Sequence, residues 1–163
     1  MTRRPPTAPA PAAPQWLSWL GLAARVIVGA VLAFSGAGKA GSPVEEFAAA
    51  IEAYDILPQG LVMPAAAILP WAETLAGFAL LGGWLTRGSA AAAFGLFAAF
   101  ITALLSTMAR RFELVDCGCF GFGLHLAPSQ TVFLDAVLAC AAAWIFFNPR
   151  TALSLDSWAK EGS

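Results

Sequence analysis

Charge is what this chain has least of. Lys, Arg, Asp and Glu together make up 12% of its 163 residues, against roughly 25% in an average soluble domain. Hydrophobic residues make up 59%. That balance excludes an ordinary water-soluble domain and makes the lipid bilayer the expected surroundings. A formal net charge of -1 also leaves no basic surface for a nucleic-acid partner. Cysteine is scarce too: Cys117, Cys119 and Cys140 allow one intramolecular dithiol, but not the two cooperating pairs of a self-contained electron relay. Histidine occurs once, at His125.

What is present is long apolar runs. Residues 1–15 carry Pro5, Pro6, Pro9, Pro11 and Pro14 among alanines. That composition cannot bury a core and is expected to stay extended and disordered. Arg3 and Arg4 could open a secretory signal, but the prolines separate them from an apolar run long enough to span, so an uncleaved first helix is expected. Four runs, at about 17–38, 61–85, 88–108 and 131–148, are each long enough to cross the roughly 30 Å of a hydrocarbon core. The membrane domain is therefore 16–148, with a short tail over 149–163. Gly29, Ser35, Gly36 and Gly38 in the first run would let a neighbouring helix approach closely. Pro70 should kink the second, and Ser129 is placed to cap the fourth.

Between the first two runs, Ser42-Pro43-Val44-Glu45 reads as a capping box with proline at the first helical position. Val44, Phe47, Ile51 and Tyr54 follow at spacings of three and four, while Glu45, Glu46 and Glu52 point elsewhere. The fold expected is an all-α integral membrane protein, a four-transmembrane-helix bundle with a short amphipathic interfacial helix between spans 1 and 2. Placing both termini in the cytoplasm of a bacterial inner membrane puts Arg3, Arg4, Arg87, Arg150 and Lys160 inside and Lys39, Arg110 and Arg111 outside, as the excess of basic residues on inner loops requires. The loop before the fourth span then faces the oxidising outer side.

That loop holds Asp116-Cys117-Gly118-Cys119-Phe120-Gly121. Two thiols one residue apart close a disulfide only as a small strained ring, which Gly118 best tolerates, and strain makes the bond easy to reduce. Because it closes almost no loop, such a bond suits exchange chemistry more than structural support. Cys117 and Cys119 are thus the candidate catalytic residues. His125, in the same loop, would lower a thiol pKa if it carried its proton. Unpaired buried thiols and a soft-metal thiolate site are the alternatives. Against the metal stands the lack of a second cysteine pair to receive it, with only Met63 and Met108 as sparse softer ligands. Within the spans, Arg25, Glu73 and Asp135 are ionisable and therefore candidates. Arg25 and Glu73 are expected to form an ion pair at matched depths, and Asp135 to bond backbone groups near the outer face or to relay protons for the thiols. Cys140 is expected to be a small packing residue.

Taken together, Arg25, Lys39, Pro70 with Glu73, and Asp116 to Gly121 resemble the MauE branch of the DoxX-like membrane proteins, over roughly residues 22–148. Proteins of that group are associated with methylamine utilisation. There MauE works with a thioredoxin-like partner in maturing the disulfide-rich small subunit of methylamine dehydrogenase. The resemblance implies a membrane thiol-disulfide role, with a thioredoxin-fold protein and an exported client as partners. The sequence does not name the electron acceptor, a quinone or a protein, and a quinone is the one cofactor it leaves open. A soft-metal carrier and a non-enzymatic assembly factor remain open beside it.

Overall fold

The computed structural model describes residues 15–110 and 128–148, and all of its regular elements are helical: α1 (Gln15–Ala40), α2 (Val44–Ala53), α3 (Gln59–Gly82), α4 (Thr86–Ala109) and α5 (Pro128–Phe147). Four of them, all but α2, are long and apolar enough to cross a membrane. At 1.5 Å per residue the 24 residues of α3 extend about 36 Å, more than a hydrocarbon core of about 30 Å. The fold is a four-helix membrane bundle with one short helix laid against it.

Large side chains face outward and small ones inward. Trp16, Phe34, Ile68, Trp71, Leu75, Phe78 and Phe133 are all exposed, while Ala76, Ala90, Ala93, Ala139 and Ala142 fill the core around Leu32, Leu80 and Ile145. Lipid tails are as apolar as leucine, so helix association in a bilayer depends on close packing of small residues, and bulky apolar groups are free to meet the lipid.

α1 packs most extensively on α3, and α4 on α5. The first pair is antiparallel and almost without side chains at its seam. A Cβ added to Gly77 would lie 2.4 Å from the Ala33 amide nitrogen, and one added to Gly36 would lie 2.7 Å from the Pro70 carbonyl oxygen. The second pair is antiparallel too: the Arg87 guanidinium, in the first turn of α4, lies 5.1 Å from the centre of the Phe146 ring at the end of α5. One end of the bundle therefore gathers the C-termini of α1 and α4, the N-termini of α3 and α5, and α2. It is called the α2 end below. At the other end α3 stops at Gly83, whose φ of 65° places it in the left-handed region. The Gly83 and Trp84 amides donate to the carbonyls of Leu80 and Ala79, a Schellman closure that glycine adopts at low cost.

α2 is amphipathic as its spacing predicts. Ala48 and Ile51 are buried against Val62 and Ala66 of α3, with Val44 and Phe47 packed around them, and Glu45, Glu46 and Glu52 are exposed. The expected capping box is not formed. Pro43 itself precedes the helix, in extended backbone with φ -55° and ψ 135°, and no side chain caps the first turn. Proline still suits the entry because its fixed φ is compatible with both sides of the boundary, while the Ser42 hydroxyl turns back to the Gly38 carbonyl at 3.5 Å. Similarly, Ser129 falls within the first turn of α5, which Pro128 opens, rather than capping it. Cys140 is exposed and not a core-packing residue, since Ala139 and Ala142 occupy the inward face of α5 beside it.

Candidate functional site

A band of buried polar side chains crosses the interior of the bundle. Glu73 of α3 is 0% exposed and Lys39 of α1 is 6% exposed. The Lys39 Nζ lies 2.9 Å from both Glu73 carboxylate oxygens, and the Ser35 hydroxyl donates to Glu73 Oε2 at 3.2 Å. Ser35 and Lys39 are one turn apart on α1 and so share a face. Helical side chains lean toward the N-terminus of their own helix, which directs the lysine back from the end of α1 into the bundle, down to the level of Glu73. The ammonium also sits over two rings, 5.3 Å from the centre of Phe47 and 4.8 Å from that of Phe100. A charge taken from water is costly unless it is paired and hydrogen-bonded, and both conditions are met.

This pairing corrects the expectation of an Arg25–Glu73 bridge. Both residues do lie deep in their helices, but depth alone does not set the partner. The α1–α3 seam has a fixed stagger, in which Gly29 meets Gly77 and Gly36 meets Pro70 and Thr74, so Ser35 stands level with Glu73. Arg25 is ten residues further down α1, about 15 Å away along the axis. It is buried there, at 1% exposure, apart from the carboxylate.

Asp135 is brought to the site by α5. It is 2% exposed and lines a small cavity, about 10 Å³ in volume, together with Ser35, Glu73, Phe97 and Phe100, room for about one water molecule. Its Oδ2 has no hydrogen-bond partner, so the expected bonding to backbone groups is not found for that oxygen.

On the other side of Phe100 and Lys39 lies a larger cavity of about 380 Å³ beneath α2, walled by Phe47, Ile51, Leu69 and Ala103 as well as those two residues. Arg110, the C-cap of α4, bonds to the end of α2. The guanidinium donates to the carbonyl oxygens of Tyr54 at 2.6 Å and Asp55 at 3.1 Å, and pairs with the Asp55 carboxylate at 3.3 Å. The last turn of α4 is thereby tied to the end of α2. Asp116, Cys117, Gly118, Cys119 and His125 follow this point and lie outside the described residues. The residues that flank their segment, Arg110 and Pro128, both stand at the α2 end.

The profile of a family described as methylamine utilisation protein MauE matches residues 17–148, which takes in the Lys39–Glu73 pair, Asp135 and the cysteine segment. The chain belongs to the MauE family. It is similar to the methylamine utilization protein MauE of Methylophilus methylotrophus, at 36% identity over 96 residues, which are 59% of this chain and 50% of that protein. The chain thus spans about half the length of that MauE relative. No solved structure gives a significant match. Family membership and the four spanning helices together make this a multi-pass membrane protein.

Two members of the polar band, Lys39 and Ser35, were not among the candidates that the sequence suggested for catalysis or support. Both sit at the end of a run that reads as uninterrupted membrane span, where a lysine looks like an interfacial anchor. Matching small residues between runs, Gly29 and Gly36 against Gly77 and Pro70, sets the stagger from which the pairing follows.

Proposed function

We propose that this MauE-family protein is a membrane thiol-disulfide redox protein of the methylamine-utilisation type. Cys117 and Cys119 exchange electrons with a thioredoxin-like partner for disulfide formation or maturation of an exported enzyme. The observation that carries the reading is the Asp116-Cys117-Gly118-Cys119 stretch inserted between helix ends that stand together at the α2 end. Its support is the surrounding construction: α4 is tied to α2 through Arg110, and the buried acid Asp135, seven residues or about 10 Å along α5 from Pro128, faces Glu73 across a small cavity. In a bacterial inner membrane with both termini in the cytoplasm, that end faces outward, where a reversible disulfide has a use.

Thiol-disulfide exchange passes through a mixed disulfide that a second thiol must resolve. Replacing the resolving cysteine with serine therefore strands a covalent adduct with the partner, and replacing the attacking cysteine yields none. Cys140→Ser leaves exchange intact, since that thiol lies about 18 Å along α5 from Pro128. Non-reducing gels with mass spectrometry on the three single serine variants in native membranes read the outcome. If neither Cys117→Ser nor Cys119→Ser traps an adduct and both retain wild-type function, the redox reading is wrong.

A further inference from the structure

The cavity beneath α2 has a wall chemistry that selects its occupant. Its volume of about 380 Å³ falls within the roughly 300–1,000 Å³ of small-molecule sites. Among its described lining residues Lys39 is the one charged group, and the rest of the wall is almost wholly apolar. Ile56 and Leu57, both exposed, form part of its rim, so a ligand dissolved in the bilayer has an apolar approach. The Lys39 charge is already matched by Glu73 at 2.9 Å. An anionic headgroup would find no uncompensated cation here. An ammonium has three N–H donors, however, and two carboxylate oxygens need engage only two of them. What the pocket offers is a hydrogen-bond donor set between two aromatic rings, Phe47 and Phe100. That suits a neutral, flat, apolar molecule with a carbonyl oxygen.

We propose that this pocket binds the ring of a membrane quinone, with one ring carbonyl accepting a hydrogen bond from the Lys39 Nζ and the ring packed against Phe47 and Phe100. Reduction of a quinone consumes two protons: the Lys39 ammonium can pass one to the carbonyl oxygen it faces, and Asp135 behind it can hold the other. Glu73 contacts the Nζ directly, and Asp135, with an unpartnered Oδ2, faces Glu73 across the cavity of about 10 Å³ that both line. The proposal deepens the thiol-redox reading and rests on it for the electron source. Two thiols lose two electrons and two protons and close an S–S bond, and the quinone takes up both electrons and both protons to become the quinol. The bound molecule would be a substrate drawn from the membrane, not a resident group.

Binding is tested separately from exchange. The full chain in phosphatidylcholine nanodiscs is photolabelled with an azido derivative of a short-chain ubiquinone, with decylubiquinone as competitor, and the labelled peptides are mapped. Saturable, competed labelling within 47–57 and 99–103 is expected. Ala103→Trp, which fills the cavity from α4, should weaken competition by at least about tenfold, as expected when a bulky side chain takes up the ligand's volume, while leaving helix content and the monodisperse elution profile unchanged. Labelling spread over the lipid-facing surfaces, competition by oleic acid but not by decylubiquinone, or an Ala103→Trp protein labelled like wild type would each overturn the proposal. The Cys117→Ser/Cys119→Ser double variant should bind quinone as wild type does, because it leaves Lys39, Phe47 and Phe100, the groups proposed to hold the ring, unchanged. Trapped thiol adducts without quinone labelling would remove the pocket and keep the redox reading. Labelling without adducts would keep the pocket as a quinone site and remove the thiols as its electron source.

Discussion

α3 meets its two sides on opposite terms. Against α1 it closes backbone to backbone, with no room for a single added methyl at Gly77 or Gly36. On its other side Val62 and Ala66 pack on α2, but Leu69 faces a cavity of about 380 Å³ that α2 and α4 wall with it. The closed side fixes a stagger, and the stagger decides which charge Glu73 meets. The open side makes no such demand and is where a ligand fits. Rigidity and vacancy are thus provided by different faces of one helix, and each can be disturbed without the other.

The largest effect is expected where the closed side carries charge. Lys39→Met leaves Glu73 buried beside Ser35 alone and should destabilise by about 3–5 kcal/mol, measured by SDS-titrated unfolding in mixed micelles. Lys39→Met combined with Glu73→Gln should be milder than the sum of the two, whereas Arg25→Gln combined with Glu73→Gln should be additive within about 0.5 kcal/mol, the behaviour of separated sites. Coupling between Arg25 and Glu73 would mean that the stagger described above is wrong.

Next comes the seam without charge. Gly77→Ala places a methyl 2.4 Å from the Ala33 nitrogen and 2.7 Å from the Gly29 carbonyl oxygen, so α1 must move away. A loss of about 1–3 kcal/mol, typical of overpacking, is expected in the same unfolding measurement. On the open side, Arg110→Ala should cost no more than about 1 kcal/mol, since an exposed pair contributes little. It should nevertheless speed hydrogen exchange at the end of α2 by removing its tie to α4. Gly95→Ala gives the smallest effect, of opposite sign. Among the described residues nothing lies within 4 Å of the added methyl, and alanine is the better helix former, so stability should rise by no more than about 1 kcal/mol. A destabilising Gly95→Ala would reveal a close neighbour on the lipid-facing side of α4.

The same contrast explains what could be read from the amino-acid order. Four spans, the outward bulky residues and the inward face of α2 follow from hydropathy and period, which are properties of one segment at a time. Glu73 and Asp135 were visible as candidates because an acid within a span is costly wherever it sits. The partner of Glu73 was not visible, because it depends on how far two helices slide past each other, and that is set by where Gly29, Gly36 and Gly77 permit contact. Capping by Ser42 failed for a related reason: the motif was present, but the chain left α1 in a direction that aimed the hydroxyl at Gly38 instead of at the amides of α2. The unpartnered oxygen of Asp135 and the cavity beneath α2 arise from three or more helices meeting, and no single stretch encodes them.

The Lys39–Glu73 contact also has a consequence for how the protein is made. Its two members are 34 positions apart, so at a synthesis rate of about 5–20 residues per second the lysine emerges roughly 2–7 s before the glutamate. During that interval α1 carries a cation with no counter-charge from α3. Because Lys39 lies in the last turn of α1, its ammonium can wait at the headgroup level, reaching outward on its flexible stem as lysines near span ends do. Only when α3 enters and the glycine seam closes does the same stem turn inward. Insertion of the second span would then be the event that pulls the first charge below the surface, and a ribosome stalled before Glu73 emerges should leave Lys39 open to water-borne acylating reagents that can no longer reach it in the finished protein.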